Sequence, residues 1–192
     1  MKKNTGLLEL ASDLIKRKSV TPKDDGALAV LKKKLKDLGF VNKDVPFGSH
    51  RTNDLVKNLY ATRIVNKKLS NKTLCFAGHT DVVPEGNISE WKYNPFEAKI
   101  TNSKLYGRGA SDMKGAIAAW ISACEKVVKE HDLKINLALL ITGDEEGIAK
   151  NGTIRLVKWI KKNKIKIDHC IVGEPTNPNH MGEMIKVGRR GS

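Results

Sequence analysis

The sequence predicts an α/β fold, a mostly parallel central sheet flanked by helices and incomplete at its C-terminal end. Three observations predict it. The second half alternates strand-like apolar runs at 73–76, 135–141 and 170–172 with helical periodicity at 113–130 and 153–162. The lysines of "LKKKLKDLG" and "VKWIKKNKIK" interleave with Leu, Val and Ile at helical spacing, the mark of helices with one solvated face. The chain finishes in "GEMIKVGRRGS", where "MIKV" reads as the start of a strand and "GRRG" as a hinge, with nothing beyond to close the sheet.

In chain order, the first helix is expected over 6–18, with Asn4 or Thr5 as its N-cap. "SVTPKDDG" is a loop. A second amphipathic helix covers 27–38, and Gly39 suits the C′ position behind it. Strand-like pieces follow at 41–47, 55–65 and 73–76. "VVPEGNISEWKYNPF" is a long loop, and "KITNSKLYGRG" reads as a short hairpin before the helix at 113–130.

At 192 residues and 40% hydrophobic, the chain is one domain, or one domain with part of another, and it buries a real core. The longest apolar run, 137–141, is far too short to span a bilayer. Glu9 and Asp13 interrupt the stretch where a signal peptide needs apolar residues, so a cytoplasmic location is expected. Cys75, Cys124 and Cys170 are scattered among apolar neighbours, which predicts buried reduced thiols, not disulfides or a thiolate metal site. The net charge of +14 belongs to the lysine-rich helix faces. There is no Arg-rich stripe, zinc-finger spacing or aromatic RNA-binding run, so nucleic acid and membrane are not expected partners.

The chemistry lies at the strand ends. Ligands of parallel α/β sheets bind outside the carboxyl ends of the strands. Here "TLCFAG" runs into His79 and Asp81, "INLALLIT" into Asp144, Glu145 and Glu146, and "HCIVG" into Glu174. "YGRGASDMKG" sets Asp112 before a helix. An imidazole and several carboxylates on one rim repel unless a cation sits among them. Mixed imidazole and carboxylate ligation suits zinc, cobalt or manganese. The surplus of carboxylates suggests two metals sharing a bridging one.

Each residue also has a plainer explanation. Asp112 fits an N-cap, Asp144 the start of a turn, His79 a hydrogen-bonded structural residue and Glu174 turn chemistry before Pro175. Acidic groups behind every core strand are poor structural design, however, and the metal reading outweighs the four separate ones. "GRGASDMKG" has neither a dinucleotide-binding register nor a Walker lysine, and no G-x-S-x-G elbow exists. His131 suits a helix C-terminus, and His50, His169 and His180 read as surface residues.

The blocks "SVTPKDDGA", "FAGHTDVVPEG", "KLYGRGASDMKG", "LLITGDEEG", "VGEPT" and "IKVGRRGS" run through nearly the whole chain. They resemble the zinc-dependent aminoacylase and carboxypeptidase family of metallohydrolases, with a zinc-exopeptidase-like fold. That resemblance implies that His79 and Glu174 hold one zinc, that Asp112 bridges to a second and that Glu146 ligates the second. It implies that Asp81 is a partner orienting His79, and that Glu145 is the general base that moves a proton from water to the leaving amine. A cis peptide at Asp112–Met113 is implied too, as are Arg189 and Ser192 near substrate carboxylates. The expected cofactor is Zn2+, two per complete site, with Co2+ as a substitute. The expected substrate is a small N-acyl amino acid, and a homodimer is expected of the full-length family.

Glu145 and Glu146 are adjacent, and neighbours in an extended chain point apart. One base beside one ligand is the division of labour this predicts. The resemblance also implies residues that lie beyond the chain: a second-zinc histidine, a lid domain and a segment completing the sheet. Residues 1–187 are thus expected to be the N-terminal part of a catalytic domain, with 188–192 a hinge towards the lid. The first zinc site is then complete and the second half made. The expectation is a fragment whose partner is its own missing C-terminal portion, or failing that an inactive metal- or partner-binding remnant. Its unfinished sheet should expose an edge strand and favour self-association.

Overall fold

The computed structural model describes residues 5–65 and 72–188. Helices α1 (Thr5–Ile15) and α2 (Ala27–Asp37) precede strands β1 (Val41–Asp44), β2 (Leu59–Arg63) and β3 (Thr73–His79). A hairpin of β4 (Lys99–Thr101) and β5 (Lys104–Tyr106) leads to α3 (Gly115–Glu130). Strand β6 (Asn136–Thr142), helix α4 (Thr153–Lys162) and strand β7 (His169–Val172) follow.

The main sheet has the order β1-β2-β6-β3-β7. Strand β3 runs parallel to β6 and β7, whereas β1 and β2 are antiparallel to their neighbours. The fold is α/β with a mixed sheet, parallel in the half formed by β6, β3 and β7. Parallel neighbours need a crossover of about a dozen residues or more, usually a helix. No helix separates β1 from β2, so that pair returns antiparallel.

The sequence pattern stops β3 at Phe76, but the strand continues through Ala77 and Gly78 to His79. Ala and Gly are weak strand formers, yet the ladder against β6 (Gly78↔Ile141, His79↔Thr142) outweighs propensity. This extension places His79 on a rigid strand instead of a loop. Helix α3 starts at Gly115, two residues later than the pattern indicates, because Asp112 (φ −124°, ψ 101°) and Met113 are not helical. The segment 184–187, expected to begin a strand, pairs with no strand among the described residues. An extended chain becomes a strand only with a neighbour to bond.

The core has two layers around the sheet. On one face Leu10 and Leu14 of α1, Leu28, Leu31 and Leu35 of α2, and Ile117 and Ile121 of α3 meet Leu137, Leu139 and Ile141 of β6. On the other face Leu156 and Ile160 of α4 meet Cys75, Ala138 and Leu140. Both β6 faces are buried, so its sequence "NLALLIT" is apolar without alternation. Helix α2 is closed by an αL glycine, Gly39 (φ +77°). The Gly39 and Phe40 amides donate to the carbonyls of Lys36 and Leu35, satisfying two orphan acceptors. Its start is capped by Asp24, whose carboxylate accepts from the Gly26 and Leu28 amides.

Cys75 and Cys124 are buried as expected, but Cys170 is exposed. The reason is topological: β7 is an edge strand, paired only with β3 among the described residues, and all four of its residues are exposed. Of the other histidines, His50, His169 and His180 are exposed, and His131 follows the last residue of α3. No helix of the described residues is long and apolar enough to cross a membrane.

Candidate metal centre

Three parallel strand ends and one irregular turn build the site. His79 ends β3, Glu174 lies two residues beyond β7, and Glu145 and Glu146 lie just beyond β6. Asp112 sits in the tight turn 110–114 ahead of α3, and the Asp112–Met113 peptide is cis. Asp112 is not an N-cap: the residue before α3 is Lys114, and no side chain caps that helix. Its carboxylate turns instead to His79, with Oδ1 3.0 Å from Nε2.

His79 is 1% exposed. Its Nδ1 lies 2.9 Å from the Asp81 main-chain carbonyl, an acceptor, so Nδ1 carries the proton and donates. The neutral ring then presents a lone pair at Nε2. Around that lone pair stand oxygens of Asp112 at 3.0 Å, Glu174 at 3.5 Å and Glu145 at 3.9 Å. Lone pair against oxygen is repulsive unless a proton or a cation fills the space. Burial pulls the His79 pKa down, but the Asp81 carbonyl and the carboxylates of Asp81, Glu174 and Glu145 overcome it and raise the value.

The carboxylates show the same strain from the other side. Burial, with Asp112 and Glu145 nearby, pushes Glu174 up to about 7 despite the opposing pull of His79. Burial and the Asp112, Glu145 and Asp81 charges also raise Glu146. A divalent ion removes both penalties at once. One oxygen each from Asp112 and Glu174, with a ring nitrogen of His79, lie within 4.8 Å of one another. So do ligand atoms of His79, Glu145 and Glu146. Donor chemistry, spacing and charge all fit a divalent metal.

That second grouping departs from the sequence expectation that the paired glutamates point apart. The chain after β6 is a bend, not extended. Both the Glu145 and the Glu146 amides donate to Asp81 Oδ2, each at 2.9 Å, and the bend brings their carboxylates together. Asp81 is buried, and Oδ2 also accepts from the Thr21 hydroxyl at 2.6 Å. Its other oxygen, Oδ1, has no hydrogen-bond partner and lies 3.6 Å from His79 Nδ1. Asp81 therefore shapes the glutamate turn through one oxygen and leaves negative charge behind the imidazole through the other.

Asp144 does not start a helical turn. Its carboxylate accepts from the Ala149 and Asn151 amides and closes the loop that leads to α4. Three contributors carried no sequence signal of their own: Thr21, Asn58 and Lys114. The Asn58 side chain accepts from the Gly143 amide and donates to the Val45 and Asn151 carbonyls. Lys114 is fully buried and donates to the Arg17 carbonyl at 2.6 Å, tying the Asp112 turn to the end of α1. Burial lowers its pKa to about 8 against the pull of Asp81, Asp25 and Asp24. Arg189 and Ser192 lie outside the described residues. A cavity of about 350 Å³ opens beside the centre, lined by His79, Glu145, Glu174, Leu140, Leu156 and Val172 among others.

Gly173 makes the approach of Glu174 possible. A Cβ there would lie 2.3 Å from Phe76 Cζ and 3.0 Å from Met113 Cε. Phe76 is buried and stacked on Trp120, so it has little room to yield. Gly173→Ala is expected to displace Glu174 and weaken metal binding, measured by calorimetric titration with Zn2+, while Gly6→Ala in α1, with no atom near its Cβ, leaves it unchanged.

Residues 75–188, more than half of the chain, match peptidase family M20/M25/M40. A succinyl-diaminopimelate desuccinylase of Beijerinckia indica is 50% identical over 188 residues, covering 96% of this chain and 47% of the relative. One of Pelagibacter ubique is 51% identical over 187 residues, with the same coverage of 96% and 47%. The chain thus spans about half the length of the curated relatives it matches. An M20 family metallo-carboxypeptidase from Sulfolobus solfataricus superposes with a TM-score of 0.73 at 32% identity, over 90% of this chain and 37% of that one. Human carnosine dipeptidase 1 shares the fold with a TM-score of 0.76 at 24% identity, over 90% and 39%. On this combination of strand-end carboxylates, architecture and match over residues 75–188, the chain belongs to peptidase family M20/M25/M40.

Proposed function

We propose that the chain provides the metal centre of a zinc-dependent amide hydrolase that converts N-succinyl-L,L-diaminopimelate and water to succinate and L,L-diaminopimelate, a step of lysine biosynthesis in the cytoplasm. One observation carries the reading: the buried His79 Nε2 faces three carboxylates at 3.0–3.9 Å beside an open cavity. The desuccinylase relatives at about half identity support the choice of substrate.

His79, Asp112 and Glu174 would hold one Zn2+, and Asp112 with Glu146 would contribute to a second; Co2+ is a chemically equivalent occupant. When bound, the ions supply Lewis acidity towards the amide carbonyl and make water a better nucleophile. The chain's own groups do the rest. Glu145, half exposed and lining the cavity, takes the water proton on a carboxylate oxygen and returns it to the departing amine. Asp81 would hold His79 through its main-chain carbonyl and both glutamates through Oδ2. Arg189 and Ser192 are assigned to the carboxylates of the substrate, and residues 188–192 to a hinge towards a lid. The remaining ligand of the second metal and the partner surface of a homodimer are assigned to sequence of the kind that fills the other half of the relatives' length.

The test has two parts. The protein is expected to bind Zn2+ stoichiometrically in calorimetry, and His79→Ala to abolish that binding while keeping its circular dichroism. Succinate release from N-succinyl-L,L-diaminopimelate is then followed with the protein alone and with the C-terminal half of the Beijerinckia indica relative added. N-acetylornithine, hydrolysed more slowly, is the comparison substrate. Zinc binding unaffected by His79→Ala would sink the metal centre; stoichiometric binding without hydrolysis in either mixture would sink the desuccinylase reading alone.

A further inference from the structure

Cys75 on β3 and Cys170 on β7 are register partners on parallel neighbours. Directly paired residues project to the same face of a sheet, and adjacent strands lie about 4.8 Å apart. That separation falls inside the Cα spacing of about 4.4–6.8 Å that a disulfide bridges. The two thiols influence each other's acidity, Cys75 being raised and Cys170 lowered, while Cys75 Sγ lies 3.5 Å from the Phe76 carbonyl and Cys170 Sγ 3.9 Å from the Ile171 carbonyl. They differ in access, with Cys75 buried and Cys170 exposed. The third cysteine, Cys124, is buried in the opposite layer with α3, behind the sheet.

We propose that Cys75 and Cys170 form a redox-responsive dithiol that closes to an inter-strand disulfide when it meets a low-molecular-weight disulfide such as oxidised glutathione. The two thiols have different tasks. The neighbouring Cys75 brings the Cys170 thiol down to about 7 against the effect of burial. The neighbouring Cys170 and burial hold Cys75 up. Cys170, accessible and the more acidic of the two, is the attacking sulfur. Its thiolate displaces one thiolate from R–S–S–R and forms Cys170–S–S–R. Cys75 then loses its proton to solvent and attacks the Cys170 sulfur, releasing the second thiolate. The protein gives up two electrons and two protons, and the small disulfide becomes two thiols.

The position gives the bond a consequence. His79 lies four residues beyond Cys75 at the end of β3, and Glu174 four residues beyond Cys170, just past the end of β7. Between them the ladder continues through Ala77↔Val172. The disulfide would staple the edge strand β7 to β3 directly beneath the pair of groups that must stay together at the site.

The purified protein is equilibrated in oxidised and reduced glutathione, quenched with an alkylating agent in denaturant so that buried thiols are also labelled, and mapped by mass spectrometry. The expected product is one linked peptide pair joining Cys75 and Cys170, lighter by two hydrogens, reversed by dithiothreitol, with Cys124 alkylated throughout. Cys75→Ser is expected to stop at a Cys170–glutathione mixed disulfide, and Cys170→Ser, at an exposed position, to leave Cys75 reduced. In the unsubstituted protein, a Cys170 mixed disulfide that never resolves, both thiols still alkylatable, or a bond to Cys124 would each overturn the proposal.

Discussion

Glu145→Gln is expected to lower amide hydrolysis by roughly 10²–10⁴-fold, the usual contribution of a positioned general base, while leaving Zn2+ affinity unchanged. Glu146→Gln is expected to do the reverse first, weakening metal binding by about tenfold or more, as loss of even an outer partner of a ligand does. The contrast matters because geometry alone admits both carboxylates as ligands. Both belong to a group whose ligand atoms lie within 4.8 Å. The environments separate them. Glu145 is 49% exposed and faces the cavity, where a substrate amide can reach it. Glu146 does not line that cavity and is less exposed, and burial raises its pKa. Gln retains the shape and one acceptor oxygen of Glu but cannot take a proton at neutral pH. A Glu145→Gln protein that loses metal in step with activity would assign Glu145 to ligation instead.

The architecture was legible because this sequence keeps its periods clean. The apolar run "NLALLIT" with flanking helical stripes indicated a buried strand under helices, and β6 is buried on both faces. The hairpin at "TNSK" was legible as a turn; Asn102 and Ser103 both take positive φ, as a two-residue hairpin loop needs. Strand direction was not legible beyond the crossovers. Nothing in the residues of β1 or β2 states which way they run, since that follows from the length of the connection. The last strand-like piece failed for a related reason: periodicity describes a chain that can pair, not one that has a partner.

At the site, residue types were legible and their mutual placement was not. Strand-end logic collected His79, Asp81, Asp112, Glu145, Glu146 and Glu174 into one region, and the structure brings all six together. It could not show that the glutamate segment bends. That bend depends on a carboxylate sixty-odd residues earlier in the chain accepting two successive amides. Nor could it find Thr21, Asn58 or Lys114, which act through hydrogen bonds to a distant carboxylate or to distant backbone that no local pattern records. Cys170 was misplaced because apolar neighbours indicate burial only when a strand has neighbours on both sides.

Asp81 joins these threads, and its replacement is expected to damage stability and metal affinity together. In Asp81→Ala the Thr21 hydroxyl and the Glu145 and Glu146 amides all lose their acceptor. An unsatisfied buried polar group costs about 1–3 kcal/mol. Water can reach the half-exposed rim and offset part of this, so the expected loss is about 3 kcal/mol, read as a lower urea midpoint at constant slope. Without the bend, the carboxylates of Glu145 and Glu146 separate, and Zn2+ affinity should fall by roughly 10–100-fold. Asp81→Asn divides the two effects. Its side-chain oxygen can still accept from both amides, so stability should fall by only about 1 kcal/mol. The charge 3.6 Å behind His79 Nδ1 disappears, however, and the imidazole becomes a weaker donor at Nε2. The Asn variant should therefore unfold close to the parent and bind Zn2+ more weakly than the parent but more tightly than the Ala variant, which loses both the charge and the bend. Parental affinity in Asp81→Asn would show that Asp81 acts on the metal through the shape of the turn alone, and that its unpaired oxygen contributes nothing.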